Sequence, residues 1–226
     1  MRYLLSLFVL AFALSIPASS QNAGVPSAML SDDKALLKTE PDTFKAVEQY
    51  FNNTNSLQSD FIQTNADGSR IRGSLSLERP GKIRFDYGAD ATLLVVSDGE
   101  TLNLVDYEVG QVKRWPVNDT PLKILLNHTI DLRAMDAVIR SHMVDGQEKI
   151  EVVTRDPESS EHYEITLYFT KNNGLDLILN GWDVVDTKHQ TTTVKLFNNS
   201  INNPLSSELW TFEDPRGLAK RKRSRR

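Results

Sequence analysis

The 226-residue chain contains no cysteine, which excludes disulfides and thiolate metal sites. Small secreted eukaryotic domains usually carry disulfides, so the absence favours a bacterial periplasm and a fold that relies on its core alone. Histidine is sparse: His128, His142, His162 and His189 lie far apart, with no i, i+4 pair and no H-x-E, and zinc chemistry has no support. There is no G-x-S-x-G elbow, no glycine-rich phosphate loop and no EF-hand spacing. Ser97-Asp98-Gly99 sets a hydroxyl beside a carboxylate, but a hairpin turn accounts for all three residues. Scattered carboxylates carry no spacing that would mark a glycosidase pair. Nothing points to an enzyme, a cofactor or a metal.

Long apolar runs are also missing, with one exception at the start. "MRYLLSLFVLAFALSIPASS" has a single charge at Arg2, an apolar run from Tyr3 to about Leu14, and small residues at Ala18 and Ser20. Residues 1–20 therefore read as a cleaved secretory signal peptide, too short and too abruptly ended for a membrane span. A lipoprotein signal would need a cysteine at the cut. Four N-x-S/T sequons, at Asn52, Asn118, Asn127 and Asn198, would matter only in a eukaryotic source.

Charge of one sign is missing from the tail. Seven of the 26 basic residues fall in the last eleven positions, "RGLAKRKRSRR", and none of the 30 acidic ones does. An acidic body with a basic arm is not the pattern of a nucleic-acid-binding domain. The tail (218–226) reads either as a solvated, disordered end or as an arm attracted to an anionic membrane surface.

What is present is alternation. After a low-complexity leader (21–41), Asp42-Thr43 can cap a helix whose apolar stripe is Phe44, Val47, Tyr50 and Phe51. From residue 57 the period changes to two: strand, Asp67-Gly68 turn, strand, then Ile83, Phe85 and Tyr87 on one face opposite Lys82, Arg84 and Asp86. Further hairpins turn at Asp98-Gly99 and near Glu108–Gly110. Strands are expected over Lys149–Thr154, Tyr163–Thr170, Leu175–Val185, Thr191–Phe197 and Leu209–Phe212. About ten strands with short turns make an antiparallel meander with a polar, solvated outer face.

One stretch interrupts it, residues 118–146. Thr120 can cap a helix with Pro121 at its first position, lined by Leu122, Ile124, Leu125 and Leu126. Leu132, Met135, Val138 and Ile139 extend the expectation to further helical turns. The plan is a curled sheet with helices in its mouth. Alternation alone fits an ordinary core under those helices as well as a cavity that takes a lipid.

The ordered set "LQSDFIQT", "GSLSLERPGKIRFDY", "LLVVSDGETLNLVD", "TPLKILL" and "WTFEDPRG" resembles the LolA family of periplasmic lipoprotein carriers over residues 42–217. The most specific element is the R-P-G turn followed about 17 residues later by V-S-D-G, then by T-P and a lid segment. The resemblance implies a mainly β (α+β) fold: an incompletely closed antiparallel β-barrel of about eleven strands with a helical lid. It implies a cavity for acyl chains lined by Leu75, Leu77, Ile83, Phe85, Tyr87, Val95, Leu102 and Leu104. The lid would comprise Pro121, Leu122, Ile124, Leu125 and Leu126, with Arg79 as the latch that holds the empty cavity shut. The bland alternative for Arg79 is a surface arginine that is solvated or paired with Glu78. The family often has aromatic residues where this chain has Ile83, Asn103 and Leu104, so its cavity would be less aromatic. Implied partners are acylated lipoproteins, an inner-membrane ABC-type lipoprotein-releasing complex and an outer-membrane acceptor, met by a monomer that binds no nucleic acid. Other readings of the same half-barrel are a periplasmic sensor of lipids or lipoproteins and a carrier of another amphiphile.

Overall fold

A computed structural model describes residues 41–88, 92–127, 129–155, 163–171 and 177–216. The expected signal peptide, the leader before Pro41 and the basic tail lie outside the described residues. The first helix, α1 (Pro41–Asn53), opens on a proline, whose fixed φ suits the first helical turn. Its stripe is buried, with Val47 and Phe51 no more than 1% exposed.

Eleven antiparallel strands follow: β1 (Ser56–Thr64), β2 (Arg70–Glu78), β3 (Lys82–Asp86), β4 (Leu93–Asp98), β5 (Thr101–Asp106), β6 (Gln111–Pro116), β7 (Val138–Val144), β8 (Gln147–Arg155), β9 (Glu164–Lys171), β10 (Leu177–Val185) and β11 (Thr191–Ile201). They form one sheet in the order β6-β5-β4-β3-β2-β1-β11-β10-β9-β8-β7. Two meanders, β1–β6 and β7–β11, are thus joined through the β1–β11 ladder, and β6 and β7 are the free edges.

The sheet is strongly curled. Three strands separate β3 from β10, about 19 Å on a flat sheet at ordinary strand spacing. Yet the Phe85 and Trp182 ring centroids are 6.2 Å apart. The ladders carry irregularities between Gln58 and Asp60 and between Leu179 and Gly181, which bend the strands locally. Gly181 has φ +147°, and a Cβ there would lie 2.0 Å from the Val194 carbonyl oxygen, so no other residue fits that bend.

The segment between β6 and β7 crosses from one free edge to the other. It holds a 3-10 turn (Val117–Asp119) and one short helix, α2 (Lys123–Leu126). The expected cap is displaced: Thr120 Oγ1 donates to the Val117 carbonyl, and Pro121-Leu122 form a turn ahead of the helix. The expected further helical turns over Leu132, Met135, Val138 and Ile139 are corrected as well. A single turn forms at 131–136 and stops at Asp136 (φ 49°), and Val138 and Ile139 begin β7. The Asp145-Gly146 turn then pairs β7 with β8.

Leu209–Phe212 is not a strand. Ser207–Trp210 forms a 3-10 turn whose Ser206 Oγ accepts from the Glu208 amide, and the chain after it lies on the convex face. That face is not uniformly polar. Leu94, Val96 and Val105 make a small outer cluster with Val112, and Phe212 covers it.

Candidate functional site

The concave side of the sheet is apolar because β3 and its neighbours alternate in phase. Leu75, Leu77, Ile83, Phe85, Tyr87, Val95 and Leu102 all point inward and are no more than 3% exposed. Leu104 is only half-buried and packs at the margin of this core. Phe61, from β1, lies edge-on to Phe85 at 5.4 Å and to Tyr87 at 5.3 Å, which matches the charge distribution of aromatic rings. Tyr87 donates its hydroxyl to Gln63 Oε1 at 2.9 Å, and Gln63 Nε2 donates to Asn65 Oδ1 at 2.7 Å. Burial drives the Tyr87 hydroxyl pKa far above its usual value, so that end of the concavity is polar and uncharged.

Above this surface lies the crossing segment. Pro121, Leu122, Ile124, Leu125 and Leu126 are all buried, and the four aliphatic ones join the same core. One tight turn of the sheet, itself packed against another, holds α2 in place. Gly81 donates its amide to the Leu126 carbonyl at 2.9 Å and has φ +76°. A Cβ on Gly81 would sit 2.4 Å from the Gly99 carbonyl oxygen, so the Pro80-Gly81 and Asp98-Gly99 turns touch at a point only glycine allows.

Arg79, joined to Pro80 by a cis peptide bond, is the charged group in this arrangement, and it is 7% exposed. Its Nε donates to the Leu125 carbonyl at 2.7 Å, and its Nη1 donates to the carbonyls of Phe51, at 3.0 Å, and Thr54. The guanidinium also lies 4.7 Å from the centroid of the Phe51 ring. The Phe51 and Leu125 carbonyls belong to the last turns of α1 and α2, and Thr54 directly follows α1, where helices leave acceptors without intrahelical partners. One planar fork therefore satisfies the ends of two helices and ties them together. Burial lowers the Arg79 pKa to about 10, partly offset by Tyr50, so the group stays charged at neutral pH. Burial raises the Tyr50 hydroxyl to about 12 despite the pull of Arg79. Glu78 is not its partner: that carboxylate pairs with Lys82 Nζ at 2.8 Å.

The sequence over this apolar concavity and the segment across it has known relatives. The sequence model of the family "Outer membrane lipoprotein carrier protein LolA" matches residues 52–213. The chain belongs to the LolA family. An outer-membrane lipoprotein carrier protein of Chromohalobacter salexigens is 27% identical over 172 residues, covering 72% of this chain and 78% of the relative. One from Coxiella burnetii is 23% identical over 205 residues, covering 86% and 94%. A solved LolA superfamily protein from Nitrosomonas europaea shares 9% identity at a TM-score of 0.38, over 75% of this chain and 97% of its own, and that likeness carries no argument.

In this LolA-family chain the positions expected to line a cavity and to form a lid lie in one core, with Leu104 at its margin. The structure also adds residues that strand alternation did not single out. Phe61, Leu57, Phe169, Leu179 and Trp182 join the core from β1, β9 and β10. The signal was present in their alternating strands, but which strands would face β3 is set by the long-range β1–β11 ladder. Among the described residues no group of three or more His, Cys, Asp or Glu is placed to hold a metal ion. A separate open hollow of about 610 Å³ lies outside β7–β9, where Arg140, Glu151, Arg155, Glu164 and Tyr168 give it a charged lining unlike the concavity.

Proposed function

We propose that the protein is a non-enzymatic periplasmic carrier that shields the acyl chains of lipoproteins and moves them from the inner to the outer membrane. The observation that carries this reading is the closed concavity: an apolar surface made by β1–β5 and β7–β11, covered by segments tied down through backbone carbonyls. Each CH₂ group removed from water is worth about 0.8 kcal/mol, so a free acyl anchor would aggregate or return to its membrane. A carrier must cover those groups and still release them. Aliphatic and aromatic walls bind acyl chains without directional bonds, and a lid held by carbonyl hydrogen bonds can exchange those bonds for water.

In this reading Arg79 is the latch of the empty state, and Leu75, Leu77, Ile83, Phe85, Tyr87, Val95, Leu102 and Leu104 line the space that opens beneath it. The working protein comprises a carrier domain (42–217) preceded by a leader and exported by a cleaved signal peptide. An ATP-driven inner-membrane complex loads it and an outer-membrane acceptor unloads it. The basic tail adds attraction to anionic headgroups, worth roughly 1 kcal/mol per basic residue near the surface. Liposome sedimentation compares the full chain with one ending at Gly217; equal, salt-insensitive binding removes the tail from the reading.

The test of the carrier role is Ile83→Glu, which puts a charge where the side chain is 0% exposed. Periplasmic wild-type protein is expected to co-purify with acylated lipoprotein seen by mass spectrometry, and a folded Ile83→Glu protein to lose it. Undiminished cargo on the variant overturns the cavity assignment, and a glycolipid in place of lipoprotein reassigns the cargo.

A further inference from the structure

The crossing segment touches α1 at a second place, away from Arg79. The turn at 131–136 begins with three amides. Asp131 Oδ1 accepts from Arg133 N at 3.1 Å and from Ala134 N at 2.9 Å. The Leu132 amide goes instead to Glu48 Oε1, at 3.3 Å, on α1. One helical turn before Glu48, on the same face, Phe44 lies under the Arg133 guanidinium, 5.6 Å from centroid to cation. Consecutive residues of the turn are thus gripped by consecutive turns of the helix, while the Leu132 side chain, 0% exposed, reaches into the core.

The two grips divide the lid. Arg79 fixes the end of α1 to α2 and to the β2–β3 turn. The 131–136 turn is anchored on the other side of the mouth, where Thr154 Oγ1 of β8 donates to the Met135 carbonyl at 3.3 Å. Between α1 and that turn runs a seam, and the Glu48 carboxylate bridges it. A carboxylate accepting a backbone amide makes a charge-assisted bond, stronger than a neutral one. At 3.3 Å and half-buried it is also within reach of water, which can replace it when it breaks.

We propose that Glu48 is a positioning residue, a second tie across the mouth independent of Arg79, and that acyl chains enter along the seam it bridges. This rests on the carrier reading above. Glutamine keeps an oxygen that can accept the same amide, whereas alanine does not, so the pair separates the bond from the bulk of the side chain.

The full-length protein without cargo is followed by amide hydrogen exchange in wild type, Glu48→Gln and Glu48→Ala, and uptake of a pyrene-labelled fatty acid is measured alongside. Glu48→Ala is expected to speed exchange at Leu132 by about tenfold, the loss of one charge-assisted bond, and to speed probe uptake, with exchange in the β1–β11 ladder unchanged and Tm lowered by only about 3–6 °C. Glu48→Gln, which keeps a neutral version of the bond, is expected to fall between alanine and wild type. Unchanged exchange at Leu132, failure of glutamine to restore any of it, or uniform acceleration over the whole sheet overturns the tie. Local acceleration without faster uptake overturns the entry route. If wild type takes up no probe at all, the carrier reading fails and the entry route with it, while the exchange result still decides the tie.

Discussion

The strands β3–β5 are covered on both faces, and in both places an arginine near β3 holds the cover by its backbone carbonyls. Inside, Arg79 grips Phe51, Thr54 and Leu125, and is 7% exposed. Outside, Arg84 donates to the carbonyls of Leu209 and Thr211, both at 3.2 Å, and pairs with Asp86 at 3.1 Å, its side chain 21% exposed. The chemistry is shared and the setting differs. Arg84 has a carboxylate beside it and water around it, so its bonds are worth little net. Arg79 has, among the described residues, helix-end carbonyls and an aromatic face and no carboxylate. A buried ion pair pulled apart leaves two charges to rehydrate, but opening this lid leaves one charge and three neutral acceptors. In the carrier reading proposed above, the inner cover is therefore firm when shut and inexpensive to open.

The sharpest way to break that comparison is Arg79→Ala, which strands buried carbonyls. It is expected to cost about 3 kcal/mol, roughly 6–12 °C in Tm for a chain of this size. Arg79→Lys should fall between, since an ammonium keeps the charge but not the planar fork. A thermal scan in which Arg79→Ala loses no more than Arg84→Ala would put the two covers on the same footing. Phe212→Ala comes next, at about 1–2 kcal/mol, below the cost of a fully buried phenylalanine because this ring only half-buries itself over Leu94, Val96 and Val105. Its cargo binding should match wild type; lost cargo would make the outer strap part of the carrier machinery. Arg84→Ala is the smallest effect, expected within about 1 kcal/mol, and should leave lid exchange rates unaltered.

Much of the inner face was legible because it is local. The alternation of Ile83, Phe85 and Tyr87 and the Pro80-Gly81 turn each span a few residues, and the ordered motifs carried the family. The strap was misread as a strand because Leu209–Phe212 has strand-like apolar residues, while its destination, a patch on β4 and β5, is set by tertiary packing. Val138 and Ile139 were assigned to a helix because apolar spacing continued across Asp136, whose left-handed backbone ends the turn without a glycine to announce it. The partners of Arg79 leave no side-chain signature at all, since carbonyls are the same in every residue. Glu48 escaped for the same reason, its target being an amide.

The strand order also bears on how the molecule comes to be closed. Each meander is made of neighbours in sequence, so β1–β6 and β7–β11 can pair as they are laid down. The ladder that unites them pairs Leu57 with Ile201, and the entropy lost in closing so long a loop grows only with the logarithm of its length, though it slows the search. The crossing segment is the linker between these two halves before it is a lid. Its ties to Arg79, Gly81 and Glu48 all reach back to the first half, so a chain caught before the last strand docks would present chiefly the apolar walls of the second half uncovered, the state in which a chaperone would be most needed.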